Sequence, residues 1–273
     1  MLGIFFLLVW VTVIAALTSH DRGRSRPLLP EHIDDEFKTA IQQHDHAVLA
    51  RYYRLALKRS LPKRDEQLVR INLACALNGL SEHAQALEEL DRIDLSQLLP
   101  AEVALWLNNR AYTLVFLGQP KDALDNLVDA DELLAGDDGL SRDGQLVACI
   151  SGTRGIAQLH LSQLDEAEKS LQLALQKDEE GQAQQFDPEA QTDSVRAAER
   201  WFWLGEVARK RGEPGIARKR YERAAAAPTA AFGRRAQEAL KTMESALLVS
   251  YIKPKALPAA GTSTTKDDAG GKS

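Results

Sequence analysis

The chain is poor in cysteine and aromatic residues, and it lacks the short motifs of most enzymes. Its two cysteines, Cys75 and Cys149, lie far apart and outside any Cys-x-x-Cys pair, so neither a zinc site nor thioredoxin-like chemistry is indicated. His44 and His46 belong to a polar turn with no third ligand at a useful spacing. The sequence has no glycine-rich phosphate loop, nucleophile elbow or paired acid–base motif. We therefore predict a protein that is not an enzyme, with no catalytic residue, cofactor or metal.

A pattern of small and large residues recurs four times along the chain. In the clearest copy, Gly205 and Ala217 are small enough to let two antiparallel helices approach closely. Trp201, Leu204 and Tyr221 would fill the space around that crossing. The matching small residues upstream are Ala167 with Gly155, Ala123 with Ala111, and Ala86 with Ala74. Matched offsets of this kind predict repeated helical hairpins, and the alternative is a helical bundle without repeats.

This pattern resembles the tetratricopeptide repeat (TPR). The resemblance implies an all-α fold, a TPR-like solenoid of helical hairpins, with repeats near residues 67–98, 104–135, 148–178 and 198–229. The repeat domain would span residues 33–249, with residues 33–58 as a degenerate leading repeat and residues 230–249 as a capping helix. The crossing alanines are 37, 44 and 50 residues apart. Because a TPR unit has about 34 residues, the excess is expected in the connections at Asp94–Pro100, Gly136–Gly144 and Gly181–Asp193.

In TPR proteins the first helix of each pair lines a concave groove that binds other proteins. Carried over by the repeat phase, the resemblance implies a groove lined by Ile71, Cys75, Asn78, Asn108, Tyr112, Phe116, Gly152, Ile156, His160, Phe202, Glu206 and Arg209. Apolar and aromatic side chains would anchor a peptide, while the asparagine amides would bond its backbone. The carboxylate clamp of chaperone-binding TPR domains is not matched, because Ile71 and Cys75 occupy the positions of its Lys and Asn.

The N-terminus reads as a separate membrane element. Residues 2–17 carry no charge, and a helix over residues 1–19 would measure about 28 Å, close to the thickness of a bilayer core. Three arginines follow within residues 20–32, the expected juxtamembrane linker. The positive-inside rule then predicts a single transmembrane helix that leaves the repeat domain in the cytoplasm. The alternative is a cleaved signal peptide and a periplasmic protein.

The C-terminal residues 250–273 are rich in Pro, Gly, Ser and Thr and are expected to be disordered. From Arg196 to Lys241 there are twelve Lys and Arg against five Asp and Glu, but no nucleic-acid recognition motif accompanies them. We therefore expect a protein or peptide partner, the membrane through the N-terminal helix, no nucleic acid and no small-molecule substrate. The layout resembles membrane-anchored TPR proteins of bacterial envelope assembly, which implies a membrane-tethered scaffold or adaptor. The alternative is an exported TPR protein in envelope assembly.

Overall fold

The computed structural model describes residues 36–37, 39–41, 43–136, 143–183, 194–228 and 230–252. Within these ranges the chain is all-α and contains no strand. Residues 36–37 and 39–41 are also helical. The longer elements are α1 (His46–Ala56), α2 (Lys63–Gly79), α3 (His83–Asp91), a 3₁₀ turn (Leu95–Gln97), α4 (Pro100–Phe116), α5 (Pro120–Ala135), α6 (Gly144–His160), α7 (Leu164–Ala183), α8 (Ser194–Lys210), α9 (Pro214–Ala225) and α10 (Ala231–Ile252). The pairs α2–α3, α4–α5, α6–α7 and α8–α9 form successive antiparallel hairpins, and α10 packs on the last pair.

The backbone reverses at the same position in every hairpin. One residue there has a positive φ: Ser81 (63°), Gly118 (80°), Ser162 (61°) and Gly212 (77°). These residues are 37, 44 and 50 positions apart, as the crossing alanines are. In each turn the next amide bonds the carbonyl five residues earlier, as Gln119 N does to Leu114 O at 2.9 Å. This is the Schellman arrangement, which ends a helix on a left-handed residue.

The two helices of a hairpin cross where one carries a small residue and the other a large one. A Cβ added to Gly205 would lie 2.5 Å from the ring of Tyr221, and one added to Gly155 would lie 2.6 Å from Leu171 Cγ. In the first two hairpins the same positions hold Ala74 with Leu90 and Ala111 with Leu127. All of these alanine, leucine and tyrosine side chains are fully buried, and so are the four crossing alanines. Close helix contact is therefore the repeated structural unit.

The hydrophobic core forms two main clusters along the array. One runs from Phe37 to Leu90 and the other from Ala101 to Ala236. Trp106 packs against both clusters, and its indole Nε1 donates a hydrogen bond to Leu90 O at 3.0 Å. The core is therefore continuous from hairpin to hairpin, as a repeat array requires for stability.

The N-terminal flank of the array packs through aromatic rings. Phe37 contacts Tyr52 and Tyr53, with ring centroids 5.1 and 5.8 Å apart. The carboxylate of Asp45 caps α1 by accepting from the amides of Ala47 and Val48 at 3.1 Å. This segment falls in the range expected for the leading repeat, and Asp45 stands in its turn.

Several sequence-based expectations fall outside the described residues. These are the anchor at residues 1–19, the linker at residues 20–32, and the internal segments 137–142 and 184–193 of the two longer connections. Where the chain is described, no helix is both long enough and apolar enough to cross a membrane. The last helix continues to Ile252, beyond the expected end of the capping helix at residue 249, and residues 253–273 of the expected tail are not described.

Candidate partner-binding groove

The first helices of the hairpins share one concave surface. Helices α4 and α8 are separated by α6, yet Phe116 of α4 and Trp203 of α8 have ring centroids only 6.1 Å apart. Packed helix axes lie about 8–10 Å apart, so two helices with a third between them cannot touch across a flat row. The row of first helices therefore curves inward, and Phe116 and Trp203 meet on its concave side.

The centre of the concave surface is an aromatic cluster, which consists of His83, Tyr112, Phe116, His160, Phe202, Trp203 and Phe232. Phe116 stacks on His83 at 4.9 Å and contacts Tyr112 at 4.8 Å. His160 is exposed, Tyr112 and Phe116 are half-buried, and Trp203 is 8% exposed. The indole Nε1 of Trp203 has no hydrogen-bond acceptor among the described residues. The cluster thus offers an apolar surface with one unused donor beside it.

An ionic cluster made of Asp178, Arg196, Glu199 and Arg200 borders the aromatic cluster. The buried Arg200 guanidinium lies 3.4 Å from Asp178 Oδ2 and 3.4 Å from Glu199 Oε2, and Arg196 lies 3.7 Å from Asp178 Oδ1. The guanidinium crosses α6 at Gly152, where an added Cβ would lie 2.4 Å from Arg200 Cζ. A larger residue at position 152 would clash with Arg200. Glycine there lets the Arg200 side chain of α8 pass over α6.

Burial and charge shift the titration of groove residues. Burial raises the pKa of Tyr112 well above its ordinary value, and the nearby charge of Glu199 adds to this. Cys75 is exposed to solvent, but the surrounding groove walls desolvate its thiol and raise its pKa to about 11. The pKa of His83 is lowered, first by burial and then by the positive charge of Arg235. Lys210 acts in the same direction on His160, whose pKa is also lowered mainly by burial.

Asn78 and Asn108 were expected to form hydrogen bonds with a bound peptide. In the structure they form hydrogen bonds with threonines of neighbouring hairpins instead. Asn78 Nδ2 donates to Thr113 Oγ1 at 2.9 Å, and Thr153 Oγ1 donates to Asn108 Oδ1 at 2.8 Å. His83 Nδ1 also lies 3.0 Å from Asn78 Oδ1. These amides therefore tie adjacent first helices together inside the array.

The other residues predicted to line the groove divide into two groups. Ile71 and Ile156 are each 1% exposed and belong to the core, so they offer a partner no side-chain surface. Glu206 accepts from the Tyr221 hydroxyl and lies 2.7 Å from exposed Arg209. Burial by itself would raise the pKa of Glu206, but these hydrogen bonds outweigh it and lower the pKa. The structure brings Tyr112, Phe116, His160 and Phe202 together in the aromatic cluster, with Cys75 exposed on the neighbouring helix α2.

Sequence reasoning missed the residues that bring the fourth hairpin and α10 into the groove: Glu199, Arg200, Trp203, Lys210 and Arg235. The repeat phase contained a signal for one of them. Moving 44 residues along the chain from Phe116 leads to His160, and moving 50 more leads to Lys210. The repeat spacing therefore predicts Lys210 at this groove position, not Arg209. No such signal exists for Arg200 and Trp203, because the matching positions of α6 hold buried Ile150 and Thr153.

The described residues offer no cluster suited to metal binding. Within the described ranges, no three His, Cys, Asp or Glu side chains converge as metal ligands would. The rings of His44 and His46 lie 6.4 Å apart, and burial is the main cause that lowers the pKa of both. The concave surface is thus the principal candidate site.

No model of a known protein family matches the chain, and no curated protein does. Among solved structures it is similar to PlcR of Bacillus thuringiensis, which was solved in complex with the peptide PapR7 and DNA. The TM-score is 0.55 at 14% identity, over 85% of this chain and 77% of PlcR. BtubC (BKLC) from P. vanneervenii is 20% identical over 98% of this chain and 99% of its own, but we draw nothing from its TM-score of 0.49. The likeness to PlcR concerns the fold alone, and it supports a helical-repeat architecture.

Proposed function

We propose that this protein is a non-catalytic, TPR-like adaptor that binds a peptide or a segment of another protein in its concave groove. The observation that carries the proposal is the aromatic cluster, in which half-buried Phe116 of α4 and exposed His160 of α6 both contact Trp203 of α8. Exposed aromatic side chains on a concave surface provide the apolar anchoring sites that extended or helical segments use. PlcR, of similar fold, was solved with a bound peptide, which is consistent with this class of partner.

The proposal includes a tether at the N-terminus. Residues 1–19 would hold the groove at a membrane, and the linker at residues 20–32 would leave the repeat array on the cytoplasmic side. A tether raises the effective concentration of a groove of modest affinity near its partners. The alternative is an exported protein in which this segment is removed. N-terminal sequencing of the mature protein, together with carbonate extraction of membranes, distinguishes these two forms.

Nucleic acid is a less favoured ligand. The likeness to PlcR, which was solved with DNA as well as a peptide, gives no support for excluding it. Within this chain, however, many cations of the basic C-terminal region already have carboxylate partners. Arg211 and Arg220 bind Glu168, and Arg218 lies 3.5 Å from Glu244. These ion pairs reduce the number of cations available for the phosphate contacts on which DNA affinity depends.

The test is affinity capture from gently solubilised membranes with the full chain. A Phe116→Ala/His160→Ala variant removes two groove rings, and Val128→Ala is the matched control because Val128 is 54% exposed on α5. Circular dichroism checks that each variant is folded. We expect a defined protein to be lost with the groove variant and retained with the control. Retention by the groove variant would place the binding surface elsewhere.

A second variant keeps this test decisive if the double truncation unfolds the chain. Cys75→Phe adds bulk at an exposed groove position and removes no core contact. It should block capture without lowering the melting temperature. Unchanged capture by this variant and by the truncated one would contradict the groove assignment.

A further inference from the structure

We infer that the segment bound in this groove is acidic and carries a large apolar side chain. This inference rests on the proposed function and specifies the chemistry of the partner. Its basis is an imbalance of charge around the aromatic cluster. Lys210 and Arg235 lie beside the cluster and form no ion pair among the described residues, although the charge of Lys210 also acts on Glu206. The nearby carboxylates Asp178, Glu199 and Glu206 each have an arginine partner.

Two cations, Arg235 and Lys210, lie beside the aromatic cluster. Arg235 of α10 lies over the ring of Phe232, with its guanidinium carbon 5.1 Å from the ring centroid. It is exposed and takes part in no ion pair within the described chain. Lys210 at the end of α8 donates to Leu159 O at 3.0 Å, so its charge is bound to a neutral carbonyl. Each cation lies close enough to a histidine of the cluster to lower its pKa, Arg235 to His83 and Lys210 to His160.

The carboxylates near the aromatic cluster have cationic partners. Asp178 faces both Arg200 and Arg196, and Glu199 faces Arg200. Glu206 is held by Arg209 at 2.7 Å and by the hydroxyl of Tyr221. Because the positive charge of the partner offsets most of the negative charge of a paired carboxylate, that carboxylate attracts a second cation less strongly. The charge left unbalanced at the groove is therefore positive, and it favours carboxylates on the ligand.

The rings of Phe116, His160 and Trp203 form the apolar surface that a ligand would cover. Phe116 and His160 form an edge-to-face pair at 6.1 Å, and both present ring surface to solvent. The Trp203 ring contacts both, at 6.1 and 6.4 Å, and its unpartnered indole N–H is buried beside them. A large apolar side chain would cover the exposed faces of these rings.

The experiment is a selection of random twelve-residue peptides displayed on phage. The target is the full chain in mild detergent, and phage that also bind the Phe116→Ala/His160→Ala variant are removed. Enriched peptides are then synthesised and titrated by fluorescence anisotropy at low and high salt. We expect Asp or Glu next to Leu, Phe or Trp in the enriched peptides. We also expect Arg235→Gln and Lys210→Gln each to weaken binding about threefold to tenfold, less at high salt. Lys219→Gln, which removes an exposed cation of α9, is the matched control and should change nothing.

The outcomes separate this inference from the proposed function. Neutral or basic peptides that still need Phe116 and His160 would overturn the acidic partner and leave the groove as a binding site. No enriched peptide, or peptides indifferent to both rings, would overturn both proposals. A thirty-nucleotide single-stranded DNA that displaces the peptides and depends on Arg235 would replace the acidic segment with nucleic acid.

Discussion

Replacing Gly205 by alanine should destabilise the protein, although alanine is the better helix former. In a helix interior the exchange by itself gains about 0.5–1 kcal/mol. Here the new Cβ would lie 2.5 and 2.6 Å from two ring carbons of Tyr221. That ring cannot move aside easily, because it is fully buried and its hydroxyl is bound to Glu206. Overpacking of this kind costs about 1–3 kcal/mol, so we expect a net loss of about 1–2 kcal/mol.

Urea unfolding monitored by circular dichroism measures this difference. For a domain of this size the loss corresponds to a decrease in melting temperature of about 2–8 °C. Gly215→Ala is the matched control. It lies in α9, and an added Cβ there would meet no atom within 4 Å. The control should gain up to about 1 kcal/mol, since only helix propensity changes. If both substitutions stabilise the chain equally, the close crossing of α8 and α9 is not the constraint that we describe.

Three further predictions concern turns, buried charge and pH. Ser162 has a φ of 61°, so Ser162→Gly should raise the unfolding free energy by about 0.5–1 kcal/mol; a decrease would show that the turn carries no strain. Arg200→Met should cost about 3–5 kcal/mol because it leaves Asp178 buried with only the more distant Arg196, and adding Asp178→Asn should recover much of that loss; an equally unstable double variant would contradict this. The pKa of folded His83 lies below its ordinary 6.5, so the unfolded chain binds more protons than the folded one as the pH is lowered through that value, and stability should fall with the pH there. His83→Asn should reduce this dependence in melting curves, and an unchanged slope would show that His83 does not contribute.

The repeat pattern carried most of the information on local structure. The spacing of small residues predicted an all-α chain of hairpins, and the structure shows helical hairpins within the described residues. Gly205 was predicted to lie where two helices approach closely, because glycine destabilises a helix interior and such a contact is a physical reason for it to be there. The left-handed turn residues were only half visible. Gly118 and Gly212 mark their turns, whereas Ser81 and Ser162 adopt the same conformation at a cost that composition does not reveal.

The groove could be predicted less completely. Repeat phase identified Tyr112, Phe116 and His160, because residues at equivalent positions of equivalent helices face the same side. It also placed Ile71 on that side, where the structure buries its side chain. Phase assigns each residue a direction about its own helix axis, but it does not tell how far a neighbouring helix covers it.

By itself the sequence determined the hairpin repeat, two of the four turns through their glycines, and the row formed by the first helices. These properties follow from spacing within about 50 residues, over which helix periodicity and turn chemistry act locally. Only the tertiary structure decided which side chains meet across the concave surface. The contact between Phe116 and Trp203, the crossing of Gly152 by Arg200 and the approach of Arg235 to His83 each join distant parts of the chain. They depend on the accumulated curvature of successive hairpins, which is set by packing at every interface and by no single motif.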